Sequence, residues 1–139
     1  MRASLLVPLV CLSWACGGQT FPVNLAASPA SSPPDAMDCT RKKLTALGYR
    51  QFAYDELEFR VVSRKQDPSA HRADPLFRYN TDQIEVNAAP GADGKTTLTV
   101  QGRTYAMLQT HRGPTEEEEP ASSGVKEAAE AVVDACGKS

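Results

Sequence analysis

Few residues in this chain have the types and spacing that catalysis requires. The two histidines, His71 and His111, lie in segments of loop composition, each beside an arginine. A histidine can exchange protons or bind a metal near neutral pH, but no Gly-x-Ser-x-Gly nucleophile motif accompanies either one. The carboxylates at positions 55, 56 and 58 could act as acid and base only if folding brought them to a suitable separation. We therefore predict that the chain is not an enzyme and that it has no catalytic residue, metal site or cofactor.

Residues 89–96, Ala-Pro-Gly-Ala-Asp-Gly-Lys-Thr, loosely resemble a phosphate-binding loop. Such a loop needs a strand before it and a helix after it, because the helix N-terminus must face the phosphate. Here Thr96 begins an alternating strand pattern, and the preceding Pro-Gly and Asp-Gly pairs are typical of turns. We interpret the segment as the turn of a β-hairpin.

Two short runs of like charge indicate solvated surfaces. The four glutamates at 116–119 lack the spaced oxygen ligands and turn glycine of a calcium loop, so they predict an exposed loop that could attract a basic partner. The basic residues 41–43 predict a solvated helix face, with an anionic lipid or glycan as the alternative contact. The whole chain of 139 residues carries 15 Lys+Arg and 17 Asp+Glu. This balance argues against a nucleic-acid partner.

The N-terminus has the pattern of an export signal. Arg2 precedes an apolar run over residues 4–15, which is too short for a membrane-spanning helix and has the length of a signal-peptide core. The run ends at Ala15-Cys16-Gly17-Gly18. This ending resembles the signal of bacterial lipoproteins.

The resemblance covers only residues 1 to about 19 and implies cleavage before Cys16, which would then carry the lipid. It further implies attachment to the membrane on the periplasmic side. Gly17 is not the Asp that retains some lipoproteins at the inner membrane, so the resemblance favours the outer membrane. Ser13-Trp14-Ala15 also fits the small-x-small rule for a soluble secreted protein, which is the alternative.

The remaining chain divides into a linker and one domain. Residues 16–35 are rich in Gly, Ser, Ala and Pro and predict a flexible tether. Residues 36–139 predict a single small α+β domain: a two-layer sandwich with an antiparallel sheet of three to four strands and an N-terminal and a C-terminal helix on one face.

Helix and strand patterns give this domain its expected order. Helical spacing predicts one helix over residues 36–47, capped by Asp35, and another from about residue 125, capped by Ser122 or Ser123. Alternation predicts strands over 49–53 and 57–65 and a hairpin over 82–101, with Gly102 as a bulge or bend. Residues 66–76 and 110–124 have loop composition.

Two cysteines remain after export and lipidation, Cys39 and Cys136. Each lies on the apolar face of a predicted terminal helix, and an exported chain meets an oxidising environment. We predict a Cys39–Cys136 disulfide rather than two buried thiols.

These features together favour a lipid-anchored cell-envelope protein with a non-catalytic interaction or assembly domain. Its expected partners are the membrane, through the N-terminal lipid, and an unidentified envelope protein that contacts a sheet face or edge. The alternatives are a small binding module for a lipid, glycan or peptide, and, less favoured, an envelope hydrolase.

Overall fold

The computed structural model describes residues 21–138, which form an antiparallel sheet and two helices. The export signal and Cys16 lie outside the described residues. The elements in chain order are β1 (Val23–Ala27), α1 (Pro33–Ala46), β2 (Arg50–Asp55), β3 (Arg60–Asp67), β4 (Phe77–Pro90), β5 (Thr96–Thr110), β6 (Gly113–Glu119) and α2 (Ser123–Cys136). The α+β class is therefore correct.

The sheet has six strands, so the predicted three to four was wrong. Its order is β1-β5-β4-β3-β2, and β6 also pairs with β5. Five pairings, all antiparallel, join these strands. The predicted hairpin over 82–101 is confirmed within the longer pair of β4 and β5.

The core lies between the helices and one face of the sheet. Antiparallel strands expose alternate residues to opposite faces, and the fully buried residues of β4 and β5 do alternate in this way. The core contains Ala36, Met37 and Leu44 from α1, Val125, Ala129 and Val132 from α2, and Val61, Ile84, Val86, Leu98 and Val100 from the sheet. Gly102 is a regularly paired residue of β5 rather than the expected bulge. Its missing side chain leaves room for Val125, since a Cβ there would lie 3.1 Å from Val125 Cγ2.

The prediction of a flexible tether was wrong for residues 23–27, because they form β1. Val23 pairs with Gly102 and Ala27 pairs with Leu98 of β5. Val23 and Leu25 pack against the core, and Pro29 after the strand is fully buried. Residues 23–27 alternate between partly buried and exposed positions, a strand pattern that the Pro- and Ser-rich composition of the wider segment obscured.

The prediction of a loop over residues 110–124 was also wrong, because the glutamate run forms most of β6. Arginines distant in sequence neutralise it: Arg64 pairs with Glu116, Arg103 with Glu118 and Arg72 with Glu119. A local charge pattern contains no information about these partners, so repulsion among the glutamates was overestimated.

The helix ends agree in part with expectation. Helix α1 begins earlier than predicted, because Ser32 rather than Asp35 is its N-cap, and two prolines occupy its first turn. Ser122 caps α2 as predicted, accepting the Val125 N–H at 3.0 Å, and Gly137 ends that helix. Gly48 follows α1 with φ +85°, a conformation that glycine adopts without strain.

The strand predicted over residues 57–65 begins later, at Arg60. Residues 56–59 form a turn in which Asp55 Oδ1 accepts the N–H groups of Leu57 and Glu58, at 2.9 and 3.1 Å. Leu57, the first residue of the predicted strand, is consequently 92% exposed. A side-chain acceptor two residues before an apolar position competes with strand formation there.

The predicted disulfide between Cys39 and Cys136 is confirmed. Their Cα atoms lie 5.8 Å apart, within the range that a disulfide spans. The bond joins α1 to the last residue of α2 across a sequence separation of 97 residues. It therefore links the two helices that cover the sheet.

Candidate interaction surface

The sheet face opposite the helices carries polar and charged side chains, which we call the open face. Directly opposite residues of an antiparallel pair point to the same face. Val61 of β3 packs in the core, so strand alternation places Arg60, Val62 and Arg64 on the open face. The cross-strand partners of these residues place further polar residues there: Gln83, Glu85, Asn87, Gln101 and Arg103.

Arg64 is the centre of this face. Its Nε donates to Gln83 Oε1 at 2.8 Å, and its Nη1 lies 2.7 Å from Glu116 Oε1. Its guanidinium carbon lies 4.4 Å from the ring centroid of Phe52 and 5.8 Å from that of Tyr105. Two polar partners and two ring contacts fix the guanidinium in one position. The same contacts hold Phe52 at the sheet surface, although 67% of Phe52 is exposed.

A groove of about 610 Å³ runs beside Arg64. Its apolar surface comes from Phe52, Tyr79 and Met107, and its charged groups are Arg50, Lys65 and Glu116. Thr81 also lines the groove, and its buried Oγ1 has no hydrogen-bond partner among the described residues. This combination of aromatic, apolar and cationic groups suits a chain segment or an amphiphilic ligand better than a free ion.

Strand β2 forms one edge of the sheet and is exposed along its entire length. It pairs with β3 on one side, and among the described residues no strand covers the other side. A register shift between Gln51 and Ala53 makes Phe52 the extra residue of a β-bulge. The opposite edge differs, because β6 brings four consecutive glutamates to it. Charge of this kind discourages pairing with another strand, whereas β2 has two aromatic residues and no Lys or Pro.

A second polar cluster is buried beneath the start of α2. Asp82, 8% exposed, accepts the Thr104 hydroxyl at 2.6 Å, and its two oxygens lie 2.9 and 2.8 Å from Ser122 Oγ. Burial, and secondarily the Asp82 carboxylate, raises the pKa of Tyr49 well above its ordinary value, so this phenol stays neutral. The side chains of Asp82, Thr104 and Ser122 satisfy one another and cap α2, which gives the cluster a structural role.

The residues singled out from sequence lie in different turns and loops. His71 lies in the loop after β3 and His111 in the turn after β5, and both are exposed. Asp55 accepts hydrogen bonds in the β2–β3 turn, and residues 91–94 form the turn of the β4–β5 hairpin, as predicted.

Arg41 of the basic run contacts β2, donating to Gln51 at 2.9 Å and lying 4.5 Å from the Tyr54 ring centroid.

Sequence reasoning did not identify Phe52 and Arg64. Their importance depends on contacts across β2, β3 and β6, which no local pattern records. The one available signal was the pair of nearby aromatic residues, Phe52 in the strand predicted over 49–53 and Tyr54 directly after it.

No family model matches the chain, and the search of curated proteins returns no significant match. Within residues 21–138, neither helix has the length and apolar character needed to span a bilayer. The same residues contain no group of three or more His, Cys, Asp or Glu placed to hold a metal ion.

Proposed function

We propose that this chain is a lipid-anchored protein of the cell envelope whose disulfide-linked domain is a non-catalytic interaction module. In this proposal Cys16 carries the lipid on the periplasmic side of the outer membrane. The domain contacts its protein partner through β2 and the adjoining groove. The apolar run that ends at Cys16 supports the anchor, and the geometry of β2 supports the interaction.

The main support for the interaction is that the uncovered edge strand β2 presents an exposed aromatic ring, Phe52, that the rest of the fold holds in place. Pairing with a sheet edge supplies main-chain hydrogen bonds to a partner, while side-chain contacts supply selectivity. Phe52 is an aromatic anchor of the kind that dominates protein interfaces. Because Arg64 restrains the ring, a partner would lose little side-chain entropy on binding.

A small ligand in the groove is the second candidate. The unpartnered Thr81 hydroxyl favours it, since a buried polar group without a partner costs free energy. The ligand would combine an anionic group, facing Arg50 and Lys65, with an apolar part against Tyr79 and Met107. A lipid or an acidic peptide has this chemistry.

Photo-cross-linking in living cells tests the proposed function. A photoreactive phenylalanine analogue at Phe52 is expected to give one cross-linked protein of defined mass. The same analogue at Glu127, an exposed position on α2, is the matched control and is expected to give none. Mass spectrometry of the purified product is expected to show Cys16 as a lipid-modified N-terminus.

Two results would contradict the proposal. Identical adducts, or no adduct, from both positions would contradict an interaction at β2. An intact Met1 or an unmodified Cys16 would contradict the lipid anchor, and the cross-linking result would still decide the interaction at β2.

A further inference from the structure

The bulge in β2 gives this strand an unusual symmetry. Arg50 and Asp55 lie opposite Arg64 and Arg60 of β3, which places both on the open face. Gln51 and Tyr54 lie on the helix face, where Arg41 of α1 contacts both.

The two central residues share the open face. Ala53 lies opposite Val62, and Phe52 contacts Arg64. Read from either end, β2 therefore follows the same sequence of faces: open, helix, open, open, helix, open. In a regular six-residue strand the first and last residues would point to opposite faces, so the extra residue at the bulge creates the symmetry.

We propose that β2 pairs antiparallel with β2 of a second copy of this chain, with the two-fold axis between Phe52 and Ala53. In this register Arg50 lies opposite Asp55 of the second copy, Gln51 opposite Tyr54, and Phe52 opposite Ala53. Every pair shares a face, as an antiparallel ladder requires. The proposal rests on the proposed function and specifies the partner as this chain itself.

Charge complementarity supports the pairing. Within one chain Arg50 lies directly opposite Arg64, a like-charge pair that is unfavourable across strands. Glu116 and Gln83 already engage Arg64, whereas no ion pair among the described residues includes Arg50. Asp55 of a second copy would supply the missing counter-charge. The two-fold axis forms this contact twice.

The pairing is short, so it is weak in dilute solution. A six-residue edge buries less area than a permanent dimer interface does. Attachment of both copies to one membrane would raise their effective concentration toward the millimolar range, where weak pairing becomes significant. The association is therefore a property of the anchored protein at high surface density.

Sedimentation velocity of the full chain, up to roughly 1 mM, tests the proposal. The wild-type chain is expected to dimerise with rising concentration. Arg50→Glu places two acidic groups opposite each other, and Asp55→Lys places two basic groups opposite each other. The dimerisation constant of each variant alone is expected to be weaker than that of the wild type by roughly tenfold or more. An equimolar mixture is expected to recover dimers, because the introduced glutamate of one variant then faces the introduced lysine of the other, and the remaining native Asp55 faces the remaining native Arg50.

Recovery in the mixture cannot come from misfolding, and circular dichroism of each variant checks its fold directly. Lys126→Glu, an exposed charge reversal on α2, is the control and is expected to dimerise as the wild type does. Wild-type chains that stay monomeric at all concentrations would overturn the proposal, and so would a mixture no more dimeric than its components. A photo-cross-link from Phe52 to a different protein, with no dimer, would overturn this inference while leaving the proposed function intact.

Discussion

Reduction of the Cys39–Cys136 disulfide is expected to lower the free energy of unfolding by about 4 to 5 kcal/mol. The bond closes a loop with a sequence separation of 97 residues, and cross-linking a loop of this length removes that much conformational freedom from the unfolded chain in the chain-entropy model. Net stabilities of small domains are of the order of 5 kcal/mol. The reduced protein should therefore be close to its unfolding midpoint without denaturant. Urea titrations with and without reductant measure the difference.

The double variant Cys39→Ala, Cys136→Ala is the control for reductant effects. Its unfolding is expected to be independent of reductant and to resemble that of the reduced wild type. A difference below about 1 kcal/mol between oxidised and reduced wild type would contradict the expected role of the bond.

Asp82→Ala is expected to lower the free energy of unfolding by about 3 kcal/mol. The substitution leaves the hydroxyls of Thr104 and Ser122 without their buried acceptor. It also loosens the cap of α2, because Ser122 Oγ accepts the Val125 N–H and is itself held by Asp82. Asp82→Asn keeps an acceptor oxygen and should lose less. Chemical denaturation measures all three proteins.

Asp38→Ala is the matched control for Asp82→Ala. Asp38 pairs with Lys42 one helical turn away, and both side chains are largely exposed. Exposed pairs of this type contribute about 0.5 kcal/mol or less. Equal losses in the Asp82 and Asp38 variants would show that the buried cluster does not hold α2 to the sheet.

Sequence patterns correctly predicted the elements that are determined by residues near one another in the sequence. Helix α2 was recognisable because its apolar residues repeat with helical spacing and Ser122 stands before them. The β4–β5 hairpin was recognisable because two alternating segments flank a Gly- and Asp-containing turn. Cys39 and Cys136 could be paired because both lay on the apolar faces of terminal helices.

Patterns with distant causes were misjudged. β6 required Arg64, Arg72 and Arg103 to neutralise its glutamates, and no local rule connects these residues. β1 required the uncovered side of β5 as its partner, so its short alternation was hidden within a segment of linker composition. The candidate surface was missed for the same reason, since Phe52 matters only because Arg64 of the neighbouring strand holds it in place.

Hydrogen exchange of β2 in native membranes tests whether this edge is the interaction surface. The exchange of residues 50–55 is compared between membranes that contain the full chain and the same protein diluted in detergent. Residues 113–119 of β6 serve as the internal reference. We expect the β2 amides to exchange more slowly in the membrane, because a paired edge protects them, and the β6 amides to exchange at the same rate in both samples. Equal β2 exchange in both samples, or protection that appears in β6 instead, would show that β2 is not the interaction surface.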